Sequence, residues 1–151
     1  MAKDTGTRYF TPSCSASKYR NIGGGSFWIF NPIANINNYD DRELHDASLV
    51  VLFEKGANSI LFCGDASDWA LDCVRNQFEI AKVHILHASH HASINGANLE
   101  FIQEAAPNNT IISTASGVYE NVPHRIALRR YRENTERDVI RTDTNGTIVF
   151  S

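Results

Sequence analysis

The stretch from residue 48 to residue 93 constrains the fold of this chain most, because three short apolar runs in it end in turns that carry acidic or histidine side chains. The runs 49–53 and 60–62 are rich in β-branched and aromatic residues, and Gly56 lies between them. This pattern predicts a β-hairpin. A third apolar run, 83–86, is separated from the hairpin by about one helix length and predicts another strand.

Side chains of the kind that bind metal ions follow two of these strands. Asp65 comes directly after the second strand, beside Gly64, which leaves room next to it. The loop 87–93, His-Ala-Ser-His-His-Ala-Ser, follows the third strand. If the two strands are parallel, the carboxylate and the imidazoles leave the same edge of the sheet. Carboxylate oxygen and imidazole nitrogen together suit zinc, or manganese and iron less selectively.

We therefore predict Asp65, His90 and His91 as metal ligands. The competing interpretation is that Asp65 only caps the helix that follows it, and that the two histidines are ordinary surface residues. Sequence alone leaves both open.

Size and composition are those of one globular domain. The chain has 151 residues, of which 42% are hydrophobic and 21% charged. No apolar run approaches the roughly 20 residues that cross a bilayer, and the first 25 residues do not resemble a signal peptide. On these two grounds we expect a cytoplasmic protein. The three cysteines are an odd number without Cys-x-x-Cys spacing, so neither a disulfide framework nor a zinc ribbon is implied. A net charge of -3 gives no overall attraction to nucleic acid.

We predict a polar N-terminal segment, residues 1–25, which ends in three glycines and is poorly ordered, followed by a folded domain, residues 26–151. The predicted elements of that domain beyond the central stretch are a strand over 26–30, a loop over 34–46, helices over 68–77, 95–105 and 123–134, a strand over 110–114, and a closing hairpin of 138–142 and 147–150 around Asn145-Gly146. We expect Trp69, Leu71 and Val74 on the buried side of the first helix, and Ile126, Leu128 and Tyr131 on that of the last.

Strands that alternate with helices predict an α/β fold, with a mixed sheet covered by helices. The predicted helices are enough to cover one face. The other face then needs a cover from the first 25 residues, from a second copy of the chain or from a partner.

The order of these motifs resembles the C-terminal half of the metallo-β-lactamase αββα sandwich, in its ComEC-type branch of competence and DNA-uptake proteins. The matching pieces are Asp-Ala-Ser-Leu-Val at 46–50, Ser-Ile-Leu-Phe-Cys-Gly-Asp at 59–65, the strand and histidine loop at 83–93, Ile-Ile-Ser at 111–113, and Arg-Thr-Asp-Thr-Asn-Gly-Thr-Ile at 141–148. The resemblance covers about residues 27–150, and its strength is that five motifs occur in the right order.

The resemblance implies a hydrolase with two zinc ions, in which Asp65 bridges the metals and His90, or else His91, ligates one of them. It also makes His124 a candidate metal ligand or proton donor in catalysis. Two cations held this close would stabilise both the attacking and the leaving oxygen of a phosphodiester or ester.

The family's most diagnostic motif, His-x-His-x-Asp-His, does not occur in this sequence, and Ala92 stands where the family has glycine. A zinc site needs about four donors, of which at least three usually come from protein. We therefore expect a truncated or split metal-dependent hydrolase, which acts only when the missing ligands come from another chain or another part of the protein.

The alternative function is that of a non-catalytic, degenerate domain that binds a protein partner or nucleic acid. Four arginines, Arg125, Arg129, Arg130 and Arg132, lie in one predicted helix and could contact phosphates. Such a cluster beside Glu133 is, however, more often a solvated helix face. Metal content separates the two functions, because the degenerate domain is expected to bind none.

Overall fold

A computed structural model describes residues 15–32 and 41–150, with the backbone alone for residues 15–20, 22 and 41–43. Seven strands form one sheet, and they lie in the sheet in the order in which they occur in the chain. The strands are β1 (Ser15–Ile22), β2 (Gly25–Asn31), β3 (Val50–Lys55), β4 (Asn58–Phe62), β5 (Ile85–His87), β6 (Asn109–Ile112) and β7 (Val139–Arg141). The helices are α1 (Asp41–Asp46), α2 (Asp68–Gln77), α3 (Leu99–Ala105), α4 (Arg125–Asn134) and the single turn α5 (Thr142–Asn145).

The sheet is mixed, as predicted. β1 to β4 are antiparallel neighbours, and the tight turn at Gly56 joins β3 to β4. β4, β5, β6 and β7 are parallel neighbours. In the register of β4 with β5, Phe62 lies opposite His87, so the carboxyl ends of both strands reach the same edge of the sheet. The condition on which the predicted site depends is therefore met.

One face of the sheet is buried beneath the helices. The strand residues Val50, Leu61, Leu86 and Ile112 are all buried in one apolar cluster with residues of α2, α3 and α4. Leu71 and Val74 of α2 and Tyr131 of α4 belong to that cluster, as predicted. The α/β architecture with helices against a mixed sheet is confirmed.

The opposite face of the sheet is more open to solvent. Side chains alternate along a strand, so the neighbours of the buried residues point to this second face. They are mostly half-buried, and Phe62 is 42% exposed although its neighbour Leu61 is fully buried. The half-buried apolar residues of this face are Phe27, Val51, Phe53, Ile60, Ile85, Ile111 and Ile140. Ile29 is the exception, since it is buried.

The predicted C-terminal hairpin is wrong. β7 pairs in parallel with β6, and the chain then forms α5 instead of a returning strand. The Thr142 hydroxyl donates to the carbonyl of Thr114 and accepts from its amide, which holds α5 against the end of β6. Arg141 and Asp143 form an ion pair across the same turn. These contacts outweigh the local preference of Asn145-Gly146 for a hairpin.

Other boundaries also differ from the prediction. Part of the N-terminal segment, residues 15–22, is strand β1, which pairs with β2 through a turn at Gly23 and Gly24. Residues 41–46 of the predicted loop form helix α1, whereas 33–40 lie outside the described residues. The helix predicted over 95–105 begins only at Leu99, because Asn98 caps it by accepting from the Phe101 amide at 2.8 Å.

Two apolar residues do not take the buried positions predicted for them. Trp69 and Ile126 are 56% and 42% exposed, whereas the residues that follow them, Ala70 and Ala127, are fully buried, so these neighbours occupy the buried side of each first turn. Within the part of the chain that the structure describes, no helix has the length and apolar character needed to span a bilayer.

Candidate metal-ligand edge

Asp65 is positioned by the end of β4 and by contacts to the segment before β3. Gly64 adopts a φ of +51°, and a Cβ atom there would lie 2.6 Å from the Ser48 hydroxyl. That hydroxyl accepts from the backbone amide of Asp65 at 2.9 Å. Glycine at this position therefore allows the close approach, as the sequence predicts, and it leaves the exposed Asp65 carboxylate directed beyond the sheet edge.

The histidine loop has an unusual backbone. His90, His91 and Ala92 all have positive φ values, 48°, 55° and 60°, in the left-handed region that residues with a Cβ rarely adopt. Backbone hydrogen bonds tie the loop to its surroundings: the His90 amide donates to the carbonyl of Gly64, and the carbonyl of Ala92 accepts from the amide of His124, both at 2.9 Å. These bonds offset the strain, which is of order 1–3 kcal/mol for each such residue.

The loop brings His91, rather than His90, against Asp65. The His91 Nε2 atom lies 3.5 Å from Asp65 Oδ1. On the other side of the ring, Nδ1 donates to the carbonyl oxygen of Ser113, at 2.6 Å, just beyond β6. In the neutral imidazole this hydrogen bond places the proton on Nδ1 and leaves the lone pair of Nε2 facing the carboxylate.

His90 points to a different neighbour. Its ring lies against that of His45 in α1, with 4.3 Å between the centroids. Both rings line a cleft of about 440 Å³, together with Asp46, Ser67 and Trp69. His45 is half-buried because α1 packs beside the start of α2.

Burial favours the neutral form of two histidines at this edge, His87 and His90. Burial lowers the pKa of His87 below its ordinary value, and His91 lowers it further, whereas the Asp65 carboxylate acts in the opposite direction. Burial likewise lowers the pKa of His90, with additional effects of His45 and His91 against that of Asp65. The Nδ1 atoms of His87 and His90 are both buried without a hydrogen-bond partner among the described residues. A neutral imidazole is the form that ligates metals.

His124 has a structural contact that the sequence did not predict. It is the N-cap of α4, where its Nδ1 atom accepts from the amide of Ile126 at 3.2 Å. Among the described residues, no hydrogen bond or ion pair connects its ring to Asp65, His90 or His91. Its backbone amide, however, holds it beside the histidine loop through Ala92.

Cys63 precedes the Gly64-Asp65 turn but cannot act as a nucleophile. Its side chain is buried, and this burial raises the pKa of the thiol well above its ordinary range. The thiol therefore stays protonated, whereas a nucleophilic cysteine needs the thiolate. Any hydrolytic chemistry at this edge must depend on the carboxylate and the imidazoles.

The geometry of Asp65 and His91 fits two ligands of one zinc ion. Two donors bound to tetrahedral zinc at about 2.0–2.1 Å are separated by about 3.3 Å, close to the observed 3.5 Å. The hydrogen bond from His91 Nδ1 to a backbone carbonyl is the second contact that zinc-binding histidines usually make. The described part of the chain contains no group of three or more His, Cys, Asp or Glu side chains arranged to hold a metal ion, so the pair does not complete a metal site among these residues.

The sequence did not identify three contributors to this edge. The Ser113 carbonyl is backbone and carries no residue signal. His45 lies in helix α1, which was not predicted because its segment is rich in Asn and Asp. His87 was part of the predicted loop, but only the structure shows its electrostatic contact with Asp65 and His91.

Comparison with known proteins adds no relative, since the chain matches no family model and no curated protein.

Proposed function

We propose that this chain is the ligand-bearing half of a split metal-dependent hydrolase of metallo-β-lactamase type, which acts on a phosphodiester or an ester. Asp65 and His91 are the two ligands that it contributes. The remaining ligands come from a chain or region that carries the His-x-His-x-Asp-His motif. The metal we propose is zinc.

The arrangement of Asp65 and His91 supports this proposal most directly. A neutral His91 has no proton on Nε2, so it cannot donate to Asp65 across the 3.5 Å between the two atoms. A lone pair facing a carboxylate at that distance is unfavourable unless a metal ion lies between them or a second proton on the imidazole makes an ion pair with Asp65. A metal ion shared by the two side chains is the arrangement that we propose.

In this proposal the chain's own residues perform three tasks. Asp65 and His91 hold the metal, and Ser113 fixes the tautomer of His91. His124, at the start of α4 beside the loop, is the candidate proton donor, because its Nδ1 atom is already occupied by the Ile126 amide and only Nε2 remains to carry a proton. When bound, the paired cations supply the charge that stabilises the attacking and leaving oxygens.

The test is a reconstitution experiment with bis(p-nitrophenyl) phosphate and zinc. We expect no turnover from the chain alone and zinc-dependent turnover when a polypeptide that carries His-x-His-x-Asp-His is added. Asp65→Asn should reduce the reconstituted rate by more than about 100-fold. Loss of a residue that only supports a metal ligand through a hydrogen bond reduces activity by about 100-fold at most. The matched control is Asp138→Asn, which changes an exposed acid directly before strand β7. If no such mixture hydrolyses the diester, the split-hydrolase proposal fails.

The open face of the sheet favours a second candidate, a non-catalytic domain whose function is to bind a protein partner or a second copy. Phe62 is exposed in the middle of a row of half-buried apolar side chains, and such patches are typical of interaction surfaces. Arg125, Arg129 and Arg132, which line one groove on α4, would be the contacts if the partner is a nucleic acid.

Equilibrium dialysis against zinc separates the candidates. A degenerate domain takes up no zinc, or takes it up equally in wild type and in the Asp65→Asn variant. The split hydrolase binds zinc weakly, and this binding is lost in the variant. Both candidates are consistent with self-association, so the oligomeric state alone does not decide between them.

A further inference from the structure

A second groove lies on the helix-covered face of the sheet, away from the Asp65 edge. α2 ends at Gln77, and no helix of the described residues lies above the part of β2 and β3 beyond it. The groove formed there has a volume of about 320 Å³, which is within the usual range for small-molecule sites.

The floor and walls of the groove are aromatic and aliphatic. Phe30 and Phe78 are stacked, with 4.9 Å between their ring centroids, and Trp28 lies beside them on β2. Leu61 and Val83 close the floor and are buried. The lining is therefore rigid, because most of it belongs to the central apolar cluster.

Two carboxylates are the only charged side chains among the described residues that line the groove. Glu54 accepts from the Trp28 indole N–H at 2.7 Å, through one carboxylate oxygen. This bond fixes the carboxylate at the groove and leaves its second oxygen for another donor. Glu79 also lines the groove and is exposed. Within the described residues, neither acid forms an ion pair with a lysine or arginine.

We propose that this groove is a binding site for a small organic cation with an apolar body, such as a substituted ammonium compound. Aromatic faces and carboxylates both attract a cation, and an apolar body would displace water from Phe30, Phe78 and Leu61. An anionic ligand would be repelled by two carboxylates, and a purely apolar ligand would gain nothing from them. The lining therefore favours a ligand that carries a positive charge.

Intrinsic fluorescence tests this proposal directly. The chain has two tryptophans, so Trp69→Phe, a change at an exposed position, leaves Trp28 as the sole reporter in the groove. The probes are phenethyltrimethylammonium, the neutral 2-phenylethanol and the anionic 3-phenylpropanoate. We expect saturable binding of the ammonium compound and no binding of the anion. The alcohol should bind more weakly by about fivefold or more, because a cation–aromatic contact contributes about 1 kcal/mol.

The carboxylates are tested with a pair of variants matched in charge. Glu54→Gln with Glu79→Gln should weaken binding of the ammonium compound about tenfold, whereas Glu100→Gln with Glu120→Gln, two exposed acids outside the groove, should leave it unchanged. Equal binding by alcohol and ammonium, or equal loss in both double variants, overturns the proposal. The probe series on Trp69→Phe decides the matter even if a glutamate variant is unstable. Asp65→Asn should not affect this binding, so the outcome is independent of the hydrolase proposal.

Discussion

His91 Nε2 faces Asp65 Oδ1 at 3.5 Å while its other ring nitrogen is fixed to the carbonyl of Ser113. His90, the adjacent residue, lies against His45 instead. The histidine pair is therefore divided between two environments by a loop in which consecutive residues have left-handed backbone conformations. The first interpretation of the sequence preferred His90 as the ligand, and the geometry favours His91.

This division predicts different metal binding in two neighbouring variants. His91→Asn should abolish the change in visible absorption that protein binding causes in Co²⁺, used as a substitute for zinc, because it removes one of the two facing donors. His90→Asn should retain the absorption within about threefold in affinity. Asparagine is chosen for both because it tolerates a positive φ. The reverse result would show that His90 turns to the metal and that the contact with His45 is not its working position.

The lowered pKa values of His87 and His90 predict that acid destabilises the fold. Both groups are neutral in the folded chain at pH values where the unfolded chain has already begun to protonate them, near an ordinary pKa of about 6.5. The unfolded state thus binds more protons, and stability must fall as the pH decreases through and below that value. Each histidine contributes at most about 1.4 kcal/mol per pH unit.

Urea unfolding between about pH 7.5 and pH 5 measures this dependence. The His90→Asn variant should show a smaller slope of unfolding free energy against pH than the wild type, by up to one proton. An unchanged slope would mean that His90 is as accessible to protons in the folded chain as in the unfolded one.

The left-handed conformation of Ala92 predicts an unusual response to glycine. Ala88 and Ala92 are both fully buried, but Ala88 has a φ of −57° and Ala92 one of +60°. Ala88→Gly should destabilise by about 1–2 kcal/mol, through the lost methyl group and the added freedom of the unfolded chain. Ala92→Gly loses the same methyl group but relieves about 1–2 kcal/mol of strain, so its unfolding free energy should change by less than about 0.5 kcal/mol. Equal destabilisation in both variants would show that the loop relaxes away from this backbone conformation.

Leu61 and Phe62 provide a test of the two faces of the sheet. Leu61→Ala should cost about 2–5 kcal/mol because it opens a cavity among the buried residues. Phe62→Lys, on the open face, should cost less than about 1 kcal/mol in the isolated chain. Sedimentation velocity with wild type and Phe62→Lys then shows whether the open face self-associates. A large loss of stability in Phe62→Lys would indicate that this face is covered within one chain.

The sequence predicted those parts of the fold that have strong local signals. The β3–β4 hairpin, the Ser67-capped helix α2 and the shared edge of β4 and β5 all follow from apolar runs, turn residues and capping side chains. The prediction of a C-terminal hairpin was wrong because Thr142 forms a hydrogen bond to Thr114, 28 residues away in the chain. Local sequence patterns do not predict such a contact.

The site was predicted at the level of the edge but not of the individual histidine. The backbone conformation of residues 90–92 decides which imidazole ring lies against Asp65. The sequence His-His-Ala does not predict three consecutive residues in the left-handed conformation. The approach of His45 depends on the packing of α1 against α2, which is a tertiary contact.

The agreement between strand order and chain order has a consequence for how this protein folds. Each described strand pairs with the strand that follows it in the chain, so the sheet can extend by one strand at a time. The hairpins β1–β2 and β3–β4 close short loops, whereas each parallel pair from β4 to β7 is joined through a helix and closes a longer one. The edge that carries Asp65 and His91 therefore forms only through the slower pairing of β4 with β5.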